Sequence, residues 1–153
     1  MIDLKNLCNN KIKSNLGLDK PKILAIQLKD IFETIKTDVA FSEILNLKYS
    51  QTSIQYLNLI IEYNRIKVCI LNNTDLDKEK ILTGLYELGF VDNSISLILP
   101  NSPKVFNILN KNSLILAKSS IDKRLDSQTY LLPTNSDFDI FHYQNVSRLL
   151  KGQ

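Results

Sequence analysis

The feature that most constrains this chain is an alternation in its central part, where short β-rich apolar runs take turns with capped helical stretches. Ile66-Lys-Val-Cys-Ile-Leu71 is a β-rich run that ends at Asn72-Asn73. From Asp77 to Leu88, Ile81, Leu82, Leu85 and Leu88 share one helical face; Thr74-x-x-Asp77 is the start signal and Gly89 the stop. Ile95 to Leu99 reads as a strand. Ser102 and Pro103 open a further helix as cap and first residue, and Leu114 to Ala117 is again a strand. Strands alternating with short helices predict a mostly parallel sheet with right-handed crossovers. Thr129 to Leu132 adds a strand, and Ser136-x-x-Asp139 caps a final helix with Phe138, Phe141, Val146, Leu149 and Leu150 facing inward. The expected fold is α/β, a single three-layer domain with a small, mostly parallel sheet of four to five strands.

The first third reads differently. Leu24, Leu28, Ile31 and Ile35 recur at spacings of four, three and four, which predicts an amphipathic helix over Lys22 to Lys36 with a seam able to accept a partner helix. A second helical stretch is expected around Val39 to Leu45. Leu57, Leu59, Ile61 and Tyr63 alternate, so Tyr56 to Tyr63 reads as a strand forming a hairpin with the run from Ile66, although Ile60 also fits a buried helix. These readings divide the chain into an N-terminal helical extension, residues 1–38, and an α/β domain, residues 39–153.

A chain of 153 residues buries enough surface to need neither metal nor disulfide for stability. Nineteen Lys and Arg against 16 Asp and Glu leave a formal charge of +3, too weak to argue for direct, specific nucleic-acid binding. Cys8 and Cys69 are far apart and fit a reduced, cytoplasmic setting. Asp3 and Lys5 interrupt Met1 to Asn10, and no apolar run approaches the roughly 18–20 residues of a membrane span, so neither a signal peptide nor a membrane partner is expected.

Catalytic material is sparse. Ligands of open α/β sheets sit beyond the carboxyl ends of the strands, which directs attention to Asn72 and to Pro100-Asn101. Asp75, Asp77 and Glu79 there could present oxygens to a divalent cation, but acids in a first helical turn more often complement the helix dipole. Gly84 and Gly89 fall within and at the end of a helix and form no phosphate-cradling loop. His142, the one histidine, lies in the last predicted helix with no nucleophile elbow to meet it. Cys69 reads as an inert strand residue. Tyr130, Phe138, Phe141 and Tyr143 with Arg148 and Lys151 come nearest to an aromatic and basic nucleic-acid surface, although the two Phe have core spacing. The expectation is a protein that is not an enzyme, with no cofactor, metal or small-molecule substrate.

The order of elements resembles the psi subunit of the bacterial DNA polymerase III holoenzyme over about residues 40–151. Glu43-Ile-Leu-Asn-Leu47-Lys-Tyr49, Asn64-Arg65-Ile66-Lys-Val68-Cys-Ile70, Tyr130 with Pro133-Thr-Asn-Ser136, and Arg148-Leu-Leu150 are similar to that family's segments. The resemblance implies a non-catalytic adaptor that bridges the clamp-loader collar subunit to a chi-like subunit and through it to single-stranded DNA-binding protein. It also implies partner-binding roles for Ile44, Leu47 and Tyr49 as anchors, with Glu43 at the rim. The alternative is an interaction component of a phage or secretion assembly that docks through the helix at 22–36. An active site in the strand-end loops ranks third.

Overall fold

Ile23–Gln27 forms a strand, β1, at the centre of the molecule, and the rest of the domain is arranged around it. The computed structural model describes residues 20–36 and 43–152. After β1 come a single helical turn α1 (Leu28–Ile31) and an antiparallel hairpin of β2 (Phe32–Lys36) and β3 (Glu43–Leu47). Helix α2 (Gln51–Asn64) leads to β4 (Lys67–Asn72), then α3 (Lys78–Glu87), β5 (Leu97–Pro100) and α4 (Pro103–Leu109). The chain closes with β6 (Ser113–Ala117), a 3-10 segment (Lys123–Gln128), β7 (Thr129–Leu131) and α5 (Ile140–Leu150). The main sheet runs β5-β4-β1-β6-β7, every pair parallel.

The expected three-layer α/β domain with a parallel sheet is therefore present, with five strands. Its layers follow from the period of two along each strand. Leu24 and Ile26 lie in register with Val68 and Ile70 on one side and with Leu114 and Leu116 on the other. These six face a large core shared with Ile54, Leu57 and Ile60 of α2, Ile81 and Leu85 of α3, and Val146 and Leu150 of α5. The intervening residues Ala25, Cys69, Leu71, Ile115 and Ala117 face Val105, Phe106 and Leu109 of α4 and Leu125 of the 3-10 segment. Small side chains, Ala25 and Ala117, let this second layer come close.

The caps behave as their chemistry requires. Asp77 Oδ1 accepts from Lys80 N–H at 2.9 Å, and Ser102 Oγ from Val105 N–H at 3.3 Å with Pro103 next in line. Gly89, at φ 122°, ends the helical stretch in a conformation that L side chains rarely adopt. Gly84 lets the hairpin close on α3: a Cβ there would stand 3.1 Å from the Leu45 side chain.

Four local expectations are corrected. The helix expected over Lys22 to Lys36 is instead β1, one helical turn and β2. Its four-three-four spacing is genuine, but Leu24, Ala25 and Ile26 are all fully buried, on both faces of the sheet, which a one-sided helix does not allow. The division at residue 38 falls in the stretch 37–42, outside the described residues, as do residues 1–19 of the expected extension. Residues 43–45 of the second expected helix belong to β3.

The strand expected over Tyr56 to Tyr63 is part of α2. Its buried set, Ile54, Leu57, Ile60 and Ile61, has helical spacing, whereas Leu59 and Tyr63 of the alternating set are exposed. No hairpin joins it to β4. In α5 the cap is Asp139, whose side chain accepts from Phe141 and His142 N–H. Phe138, Val146 and Leu150 are buried as expected, but Phe141 and Leu149 are exposed.

Truncation of Ile26, with fully buried neighbours on both adjacent strands, tests this arrangement. Ile26→Ala should lower unfolding stability by about 2–5 kcal/mol in urea denaturation. A loss of only a few tenths would contradict a close-packed centre.

Candidate functional site

The connections leaving the sheet define one crevice. From β1 the chain crosses to β4 on one side, and from β6 it continues to β7 on the other, so the two connections diverge between β1 and β6. Ligand sites of open α/β sheets lie at such a divergence, beyond the carboxyl ends of the strands.

Three strand ends meet there through hydrogen bonds. Lys29 N–H donates to Asn73 Oδ1 at 3.0 Å, which ties the end of β1 to that of β4. Lys118 N–H, just past β6, donates to Asp30 Oδ2 at 2.9 Å across the crevice. Lys48, just past β3, reaches over with its ammonium to donate to Lys29 O at 2.6 Å. The Asn72 to Leu76 loop is closed on itself. Asn72 Oδ1 accepts from the N–H and hydroxyl of Thr74 at 2.9 and 2.7 Å, and Thr74 Oγ1 accepts from Leu76 N–H at 3.1 Å. The polar rim is thus built from fixed loops.

Tyr49 bounds the crevice on the β7 side. Its hydroxyl donates to Pro133 O at 2.7 Å, and the Lys118 ammonium lies 5.4 Å from its ring centroid, a cation–π distance. Burial, reinforced by the negative charges of Asp30 and Asp137, pushes the Tyr49 hydroxyl up to about 12. Beside it, Asp137 accepts from Ser50 N–H at 2.9 Å and from Ser50 Oγ at 2.5 Å. Desolvation works against this carboxylate, but the Ser50 bonds and the Phe138 N–H outweigh it and hold Asp137 below the usual carboxylate range. At the inner end, Gln27 closes β1. It is 8% exposed, and its buried Oε1 has no hydrogen-bond partner.

A helical reading of Lys22 to Lys36 hides Lys29 and Asp30, and nothing local marks Lys48 or Lys118, which reach this edge only through the fold. Read as a strand, Ile23 to Ile26 would have drawn attention to the Gln27-Leu-Lys-Asp30 that follows. Asn72 and Asn73, which that reading did single out, lie at this edge.

The residues expected to bind a partner occupy different surroundings. Ile44 is 50% exposed and lines an open groove of about 580 Å³ with Asn46, Glu79, Lys80 and Thr83. Leu47 is half-buried against the main core, opposite Phe32 across the hairpin. Tyr49 is the one that reaches the crevice, and Glu43 begins β3 paired with Lys36. His142 Nδ1 lies 2.6 Å from the Tyr130 hydroxyl, outside the crevice. Cys69 is buried in β4, its thiol pushed up to about 11 by desolvation. Cys8 lies outside the described residues. Among the described residues no three His, Cys, Asp or Glu side chains gather as a metal site, and no helix is long and apolar enough to cross a membrane.

No protein-family model and no curated protein matches this chain. Among solved structures it is similar to a Legionella pneumophila protein assigned to the HAD superfamily (subfamily III A) hydrolases. The TM-score is 0.53 at 13% identity, over 87% of this chain and 83% of that one. The likeness is one of fold. It overturns the resemblance to the polymerase III psi subunit, and with it the non-catalytic clamp-loader adaptor: the architecture is shared with a hydrolase, and nothing points to psi. The expectation that the chain is not an enzyme is corrected on the same ground. The alternative of docking through a helix at 22–36 is not supported either, since that segment supplies the central strand.

Tyr49 supplies the test of this geometry. Tyr49→Phe removes the bond to Pro133 O and should cost about 1 kcal/mol near neutral pH. Because the folded state holds the Tyr49 proton above the ordinary value of 10.0, its contribution is complete below that pH and is lost as pH rises toward about 12. The stability margin of the unaltered protein over Tyr49→Phe, measured by urea unfolding, should shrink across that window. A margin independent of pH would refute the assigned surroundings.

Proposed function

We propose that the chain is a small-molecule hydrolase acting on an anionic ester in the crevice between β1 and β6. The observation that carries this reading is that the main chain of Lys29 and Lys118, the Lys48 ammonium and the Asp30 carboxylate meet on one rim through loops that are hydrogen-bonded to each other, with the Lys118 ammonium over Tyr49. The hydrolase fold of the Legionella pneumophila protein supports the reaction class. The lysines support the substrate class, because cations lining a cleft raise the local concentration of an anionic ligand and stabilise negative charge that develops during reaction.

The available groups divide the roles. Gln27, at the end of β1, carries an amide with no titratable proton and therefore serves as a hydrogen-bonding group. Tyr49 stays protonated through the physiological range and acts as a donor. Of the two carboxylates at the crevice, Asp137 is engaged twice by Ser50 and Asp30 by one backbone N–H, so Asp30 takes the part of base and water that of nucleophile. The water oxygen bonds to the central atom of the ester, the bond to the alkoxide breaks, and Asp30 passes the proton from water to the alkoxide. Lys29 and Lys118 hold the anion throughout. We assign the protein to the cytosol in the same reading, supported by the unpaired thiol of Cys69.

Purified protein should release p-nitrophenol from p-nitrophenyl phosphate or a related anionic ester, assayed with and without a divalent cation. Asp30→Asn should lower kcat by about 100-fold or more, the scale of a lost general base. Lys118→Ala should raise KM more than it lowers kcat. Absence of turnover across a panel of phosphate, sulfate and carboxylate-bearing esters would overturn the proposal, as would full activity in Asp30→Asn.

A further inference from the structure

At the opposite edge of the sheet, where the strands begin, α2 and α5 end side by side and leave a groove of about 610 Å³. It is a surface groove, open to solvent. It is lined by Tyr63 and Asn64 of α2, by Tyr143, Ser147 and Arg148 of α5, and by Lys151. Two tyrosines and two cations meet there, and no carboxylate is among the lining residues.

The two rings differ in one respect. Tyr143 is packed against Tyr56, with ring centroids 5.4 Å apart, and forms part of the wall. Tyr63, one heptad after Tyr56 on α2, is 74% exposed. An aromatic face left to water beside a partner ring is a stacking surface without a stack.

The guanidinium is already oriented. Arg148 Nη2 donates to Asn145 Oδ1 at 2.5 Å, and the Asn145 amide donates to the Tyr130 hydroxyl at 3.4 Å. The Tyr130 hydroxyl in turn bonds His142 Nδ1. This chain fixes one edge of the guanidinium and leaves donors over for an anion, which lowers the entropy cost of capturing one. Cations in the last turn of α5 also complement its carbonyl end, and that accounts for Arg148 and Lys151 being tolerated there. It does not account for the bare ring of Tyr63 beside them.

We propose that this groove binds a nucleobase bearing a phosphate, with the base on Tyr63 and the phosphate on Arg148 and Lys151. A free mononucleotide and a nucleotide within a single strand share that chemistry. The site is separate from the crevice between β1 and β6 and does not depend on the function proposed there.

Calorimetric titration of the full chain with AMP and, separately, with a short oligo-dT distinguishes the two sources. Tyr63→Ala should raise Kd about tenfold or more, the scale of a lost base stack, whereas Tyr63→Phe keeps the affinity. Arg148→Ala should weaken binding and flatten its salt dependence. Lys104→Ala, exposed on α4 in the opposite layer, should leave binding unchanged. Binding of AMP supports a free nucleotide, and binding of the oligomer alone supports a single strand. No heat from either ligand at about 1 mM overturns the proposal. So does affinity that Tyr63→Ala leaves intact or that Lys104→Ala abolishes.

Discussion

Parallel pairing of β1 with β4 on one side and β6 on the other is the interaction on which the rest of the molecule depends. It buries Leu24 and Ile26 in one layer and Ala25 in the other, so the strand has no solvent face. A strand buried on both faces must satisfy its backbone groups within the sheet; β4 pairs with it over Ile23–Gln27 and β6 over Ile23–Ile26. The layer under α4 mixes small strand residues, Ala25, Cys69 and Ala117, with Leu71 and Ile115, and the layer under α2, α3 and α5 is built from Leu, Ile, Val and Phe. Shape is therefore decided strand by strand, and the loops inherit fixed starting points.

The carboxyl ends of those strands are where polar groups gather, for a geometric reason. In an α/β unit each strand hands over to a helix that runs back across the sheet, so strand ends and helix starts share one edge. The helix starts are occupied by their own caps, Asp77, Ser102 and Asp139. What remains open at that edge are Lys29, Asp30, Lys48 and Lys118, and these are linked by the bonds that join β1 to β4 and β6. Packing and site are coupled: the bond from Lys118 N–H to Asp30 bridges the crevice and pins β1 to β6. The same direction of travel puts the last turns of α2 and α5 at the opposite edge, with Tyr63, Arg148 and Lys151 around their groove.

Much of the second half was legible in the sequence because local rules and tertiary structure agree there. Asp77, Ser102 with Pro103, and Gly89 each meet a backbone requirement that exists before any packing, and the elements they bound fall where those residues put them. Val68 to Leu71 and Leu114 to Ala117 are short apolar runs bounded by polar residues, the pattern of buried strands. The first third was misread because two periodicities overlapped. Leu24, Leu28 and Ile31 repeat as a helix would, and Leu57, Leu59, Ile61 and Tyr63 alternate as a strand would, but each pattern is a subset of a longer apolar run. Ile54 and Ile60 settle the second case once burial is known. The crevice is hidden with the first: lysines after a helix read as a solvated face, while lysines after a central strand stand at the edge where open α/β sheets bind ligands.

The sequence by itself determined the class of fold, the extent of its capped helices and most of the strands, because these follow from side-chain period, helix caps and turn chemistry within a few residues. Only the tertiary structure decided that Ile23 to Gln27 is the central strand, since that depends on Val68 and Leu114 arriving from far along the chain to cover both its edges. The same long-range pairing brought Lys29, Asn73 and Lys118 to one edge and Tyr63 and Arg148 to the other. Residues so far apart in sequence become neighbours only when the energy of the assembled sheet outweighs the local preference of each segment.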